Sequence, residues 1–402
     1  MDIKLLFFYK KVPFMIQYYL LFLFTVIVLQ PITIIIGFIG RFLWHPPKYH
    51  PEFTDINNNT GDYVKENIHL EKMYTERNNQ LDKNKLLTNG DCAKFLGMYY
   101  WATDDDGYWN QIMLLCDKEH KCFHRTPIVE NPAEEVQFST DMLSGFLGAI
   151  SHRVCTYGLT DNERDILGTI WDYSSFSKWP MLLNHQVHGK KFGRGFVWEP
   201  WRVWDTMKDI RHMLWLYLGY KITNKKRYLL AYWLNYILFF PMFMISVHDC
   251  SVFIGRFFAL ATHGSHSGML CAAAGAMLTK SWLFKHIFKR HYNRRKYFSP
   301  DTLALYNRYI KELSAEDKNR LEALIYSTYR KGTKDFSKDV KYLDFIWPPK
   351  FTMGGKYIYP TSYRGNDYTD ERSLINGRLY TEEQRMNWSV DVIFPAGIVL
   401  NK

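Results

Sequence analysis

From Val12 to Gly40 the chain carries no charged residue: VPFMIQYYLLFLFTVIVLQPITIIIGFIG. As one helix these 29 residues would reach about 43 Å, beyond the roughly 30 Å hydrocarbon core, so the run can cross a bilayer with tilt or a kink at Pro31. Lys4, Lys10 and Lys11 precede it, while Arg41 and Lys48 follow, then Glu52 and Asp55. The basic excess on the N-terminal side places the N-terminus in the cytoplasm and the bulk of the chain across the membrane. A cleaved signal peptide fits less well, because the run is about twice the usual apolar length and no small-x-small cleavage site follows. The expectation is a single-pass membrane protein, with residues 1–44 as cytoplasmic N-terminus and transmembrane anchor.

Two further uncharged runs, Tyr228–His248 and Phe257–Thr279, are each long enough to span a bilayer. Asp249 and Arg256 leave little room for a loop between them. Asn235 and Pro241 interrupt the first, and His263, Ser265 and His266 interrupt the second. Both runs therefore read as buried helices of a globular domain, with a two- or three-span protein as the alternative.

The chain holds 28 Tyr, 28 Phe and 13 Trp, too many for a segment that cannot collapse, and its six cysteines are too sparse for a disulfide-stapled scaffold. Residues 45–90, polar and Asn-rich with Pro46, Pro47 and Pro51, read as a stalk or linker. Residues 91–402 read as one mainly α domain. Thr160 and Glu163 fit a capping box, Ser299-Pro300-Asp301 opens another helix, and Ser314 and Asp317 open the next. Ile112–Arg125 reads as a short hairpin around a charged turn. No sequence repeat is evident.

Three stretches can carry chemistry. In Trp101-Ala102-Thr103-Asp104-Asp105-Asp106-Gly107 three acids crowd together beside aromatic rings. Mutual repulsion raises at least one carboxyl pKa, which suits Asp106 to general-acid work; the same residues also make a strong solvated turn. Asp141 lies at the start of an apolar helix, where it can serve as base or simply complement the helix dipole. The long Gly- and Trp-rich segment 184–202 offers Glu199 as an acid, His185, Arg194 and Arg202 as polar contacts, and Trp201 as a stacking face or a core residue.

His185/His188 and His263/His266 have no metalloprotease spacing, no CxxC pair exists, and no phosphate-cradling loop is present, so no metal or cofactor is expected. Cys116 and Cys122 flank the hairpin turn and read as either a disulfide or two separate buried thiols. The basic run Lys285–Lys296 suits anionic lipid headgroups as the partner, rather than nucleic acid.

The order of elements over about 91–402 resembles the six-hairpin (α/α)-toroid superfamily of glycoside hydrolases and polysaccharide lyases, and similarly built helical proteins encoded by phages. The resemblance rests on Asp105-Asp106-Gly107, Ser139-Thr140-Asp141, His266-Ser267-Gly268 through Ala276, Tyr342–Trp347 and Trp388–Asp391. It implies a membrane-anchored toroid that binds or cleaves a glycan. Asp106, Asp141 and Glu199 would be the catalytic acids, and Trp101, His185, Arg194, Trp201, Arg202 and His266 the substrate-binding residues. The alternative is a non-enzymatic, viral-type membrane protein acting through interactions.

Overall fold

The computed structural model describes residues 30–43 with fragments of 20–28, 69–124 apart from 80 and 82–91, 142–176, 206–243, 263–333 apart from 297–298, and 382–401, together with residues 48–49, 127 and 357–358. The architecture is mainly α. Helix α1 is Gln30–Leu43, α2 is Leu70–Asn79, α3 is Cys92–Thr103 and α4 is Asp106–Leu114. After the hairpin β2 (Cys116–Asp117) and β3 (Cys122–Phe123) come α5 (Met142–Thr156), α6 (Asp161–Phe176), α7 (Thr206–Thr223) and α8 (Lys226–Phe243). The chain continues with α9 (His263–Thr279), α10 (Trp282–Arg295), α11 (Pro300–Tyr309), α12 (Ala315–Thr333) and α13 (Glu382–Leu400). Strand β1 (Lys48–Tyr49) pairs in parallel with β4 (Tyr357–Ile358).

Alternate helices form an inner circuit. Helix α3 packs on α5, α5 on α9 and less extensively on α7, α7 on α9, α9 on α11, α11 on α13, and α13 returns to α3. Helices α4, α8, α10 and α12 each pack on the inner helix that precedes them, α6 packs on α7, the inner helix that follows it, and α2 packs on α13. The inner helices are buried on every side. In α3 all residues from Cys92 to Ala102 are buried, and in α5 all from Met142 to His152. An amphipathic stripe could not achieve this; it requires neighbours all round. Gly97 and Gly145 bring the backbones of α3 and α5 so close that a Cβ on either would strike the other helix.

The inner helices run in one direction. Asp104, after α3, meets His152 near the end of α5. The Trp101 indole donates to the Tyr309 hydroxyl at the end of α11, and the Asn401 amide after α13 donates to the Ala102 carbonyl. Cys155 lies within electrostatic reach of Lys221 and Lys280, at the ends of α7 and α9.

A recurrent corner turns three of the inner helices into the outer helices that follow them. Thr103, Thr223 and Thr279 close α3, α7 and α9, and each hydroxyl donates to the carbonyl four residues back, those of Tyr99, Gly219 and Gly275. The next residue, Asp104, Asn224 or Lys280, is left-handed, with φ of 58°, 55° and 55°, the usual helix-stopping geometry at that position. The residue after that donates its N–H back to the threonine hydroxyl. Nine positions beyond the carbonyl residue stands a ring: Tyr108 stacks on Tyr99, and the Tyr228 and Phe284 rings occupy the space a side chain at Gly219 or Gly275 would need. This is a structural repeat that the sequence does not announce, because only the threonine and the ring persist.

The membrane localisation expected from the sequence is corrected. Among the described residues no helix is long and apolar enough to cross a membrane. Among the described residues the helix at the C-terminal part of the uncharged run is α1, whose 14 residues span about 21 Å, short of the roughly 30 Å of a bilayer core. The two- and three-span alternatives fall on the same finding. The second apolar run becomes α9, buried against α5, α7 and α10 from Ser267 to Met277. The first becomes α8, which packs on α7 and α1 and leaves Leu230, Trp233 and Ile237 exposed.

Candidate functional site

At the end where the inner helices stop, the three adjacent acids are drawn apart. Asp104 turns to His152, with Oδ1 and Nε2 2.5 Å apart. Asp105 caps α4 by accepting from the Gly107 N–H at 2.9 Å. Asp106 meets the Arg153 guanidinium at 3.2 Å with its side chain 74% exposed. Each of the three carboxylates thus has its own partner.

Arg153 also reaches Glu163 at 3.3 Å and lies over the Trp109 ring. Glu163 belongs to the capping box: it accepts the Thr160 N–H at 2.7 Å, and its own N–H donates to the Thr160 hydroxyl at 3.2 Å. Burial works to raise the Glu163 pKa. The Thr160 N–H, the Trp109 indole and Arg153 outweigh it and hold the carboxyl below its ordinary value. Burial lifts the Tyr100 hydroxyl to about 12. Trp101, expected to stack on substrate, is 2% exposed, packs against Gly148 and bonds Tyr309. This end is a set of caps and ion pairs.

The opposite end, where the inner helices begin, has a different character. Lys94 is the third residue of α3, Arg211 and His212 fall in the second turn of α7, and Asp301 is the second residue of α11. All four are buried to 1% exposure or less, with Ser144 of α5 and Ser267 of α9 fully buried at the same end. Burial pulls the His212 imidazole down to about 3, so it is neutral at pH 7. Ionisable groups this deep are rare in structural cores and recur at functional sites. Sequence reasoning passed over them. Their signal was present: Lys94 stands within the otherwise uncharged helix CAKFLGMYYWAT, and Arg211-His212 precede MLWLYLGY.

Asp141, Glu199, His185, Arg194, Trp201 and Arg202 lie outside the described residues. His266 occupies the first turn of α9, and its side chain is likewise outside the described residues. Asp106 lies beside Arg153 near the end of α5, whereas Met142 begins that helix, about 17 Å away along its axis. Of the basic run, Lys296 pairs with Asp317 at 3.5 Å.

A third cluster sits on the hairpin. Asp117 pairs with Cys122 across the two strands. Asp117 Oδ2 is 2.9 Å from His124 Nε2 and 2.6 Å from His120 Nδ1, and Oδ1 accepts the His120 N–H at 2.8 Å. Burial tends to raise the Asp117 pKa, but these bonds from His120 and His124 hold it below its ordinary value. Cys116 and Cys122 are free thiols, which decides between the two readings of that pair. Burial, reinforced by Asp117, pushes the Cys122 thiol up to about 12.

Comparison with protein-family models, with characterised proteins and with solved structures finds no match. The described residues thus define the class of the protein, a mainly α chain with alternating inner and outer helices.

Proposed function

We propose that the chain is an (α/α) toroid that binds a glycan, and acts on it by acid/base chemistry, at the end of the ring where the inner helices begin. The observation that carries this reading is the burial of Lys94, Arg211, His212 and Asp301 in the first two turns of three parallel inner helices. A neutral histidine and a carboxyl group in a dry setting are suited to move protons, and buried cations suit the charge that develops on oxygen.

Connection lengths support the same end. Inner and outer helices of a pair are joined within a few residues, whereas the connections into α5, α7, α9 and α13 span 125–141, 177–205, 244–262 and 334–381. Long connections on a rigid scaffold are where binding residues concentrate. Asp141, Glu199, His185, Arg194, Trp201 and Arg202 all belong to those connections in sequence, and His266 follows one of them.

A panel of polysaccharides, assayed for binding and for chain cleavage, tests the reading. Asp301→Asn and His212→Asn should each lower turnover at least 100-fold, while Asp106→Asn leaves it within about twofold. Absence of binding to any glycan, or loss of activity in Asp106→Asn with activity retained in Asp301→Asn, would overturn it.

A further inference from the structure

We propose that Asp117, Cys122 and His124 form a site for a divalent transition-metal ion of the zinc class, with His120 holding the carboxylate in place. The argument is independent of the glycan reading and starts from strand alternation. Side chains two apart on a strand share a face, so Cys122 and His124 lie together. The antiparallel register sets Asp117 opposite Cys122, and the Leu115 carbonyl accepts the His124 N–H at 2.8 Å. One ligand atom from each of Asp117, Cys122 and His124 lies within 4.8 Å of the others. Zinc with bonds of about 2.0–2.3 Å to oxygen, nitrogen and sulfur holds its ligand atoms roughly 3.3–3.8 Å apart. The widest pair therefore needs to close by about 1 Å.

The donor set is that of zinc or cobalt: thiolate, imidazole and carboxylate. The setting is dry on one side and open on the other. Cys122 is 1% exposed and His124 5%, while the His120 side chain is one-third exposed. Solvent can reach the cluster from the His120 side, where water or His120 itself would complete four-coordination. As a metal-free group His124 is half satisfied. Its Nε2 bonds Asp117 Oδ2, so this is the side of the ring that would face the ion, while its Nδ1 is buried without a hydrogen-bond partner. The carboxylate already bonded to His120 matches the outer-shell support typical of metal ligands.

On binding, a metal–sulfur bond forms, the Cys122 S–H bond breaks, and one proton leaves to solvent, so affinity falls as pH falls. A bound ion would tie β2, packed on α4 and α6, to β3, whose Phe123 ring lies against Phe146, Trp171 and Trp215.

The test titrates the full chain with Co²⁺, then Zn²⁺. One Co²⁺ per chain should bind with a thiolate-to-cobalt absorption band, and one equivalent of Zn²⁺ should displace it. Cys122→Ser should abolish the band, and His124→Gln and Asp117→Asn should weaken zinc binding at least tenfold. His120→Ala should weaken it about 10- to 100-fold. Cys116→Ser, one residue away with its side chain on the other face of the strand, should leave band and affinity unchanged. Failure of the native chain to bind one equivalent overturns the proposal, whatever the variants do. A band that persists in Cys122→Ser, or that disappears equally in Cys116→Ser, overturns the ligand assignment.

Discussion

Where the inner helices end, the chain turns back within two to five residues, and Asp104, Asp105, Asp106 and Glu163 each have a cap or cation to satisfy. Where they begin, Lys94, Arg211, His212 and Asp301 are carried into the interior. The two ends differ in what charge costs. At the first, Asp104 and Asp105 are partly exposed, Asp106 is exposed and Glu163 is buried, and each has a local cap or side-chain partner. At the second, ionisable groups lie out of water, where each is expensive unless the fold or the function uses it. A run of acids in the sequence is therefore a weaker pointer to buried charge than one charged residue inside an apolar helix.

Four measurements would break or sharpen this contrast. Trp101→Ala should cost about 4 kcal/mol by denaturant unfolding, since a fully packed indole and its bond to Tyr309 are lost. A loss below about 1 kcal/mol would mean that Trp101 is not a core residue and would return it to the stacking role. The His212 effect comes next. In the unfolded chain this imidazole binds a proton below about pH 6.5, whereas in the fold it stays neutral down to about 3. Its contribution is thus complete above pH 6.5 and declines as pH falls, by up to about 1.4 kcal/mol per pH unit. Between pH 6.5 and 5 the native chain should lose about 1.6 kcal/mol that His212→Asn does not lose. Equal pH dependence in the two proteins would show that the site is hydrated.

Smaller effects belong to the corner. Asp105→Ala removes the α4 cap and should cost about 1 kcal/mol in chemical denaturation. Asp106→Ala removes only an exposed partner of Arg153 and should cost less than about 0.5 kcal/mol. A cost above that of Asp105→Ala would reverse the assignment of the two neighbouring acids.

Much of the fold was legible because helix signals are local. The Thr160/Glu163 capping box, the Ser299-Pro300 helix start, the Ser314 cap and the hairpin around residues 116–123 all formed as their residues predict. The recurrent corner was not legible. Its spacing of threonine and ring is shared by Thr103/Tyr108, Thr223/Tyr228 and Thr279/Phe284, but only the left-handed residue between them makes it a motif. The hairpin cluster was missed for a related reason: Asp117, Cys122 and His124 have no familiar metal-ligand spacing along the chain, and strand pairing is what brings them together.

By itself the sequence determined the helical class and several of the caps, since these depend on residues within one or two turns of each other. Only the tertiary structure decided which acid faces which base, which ionisable groups are buried, and where the apolar runs go. Hydrophobicity says that Phe257–Thr279 must leave water; it does not say into what. In the fold that segment's α9 leaves water by packing between inner and outer helices rather than by crossing a bilayer, because the neighbouring helices α5, α7, α10 and α11 supply the apolar surface that its own sequence cannot provide.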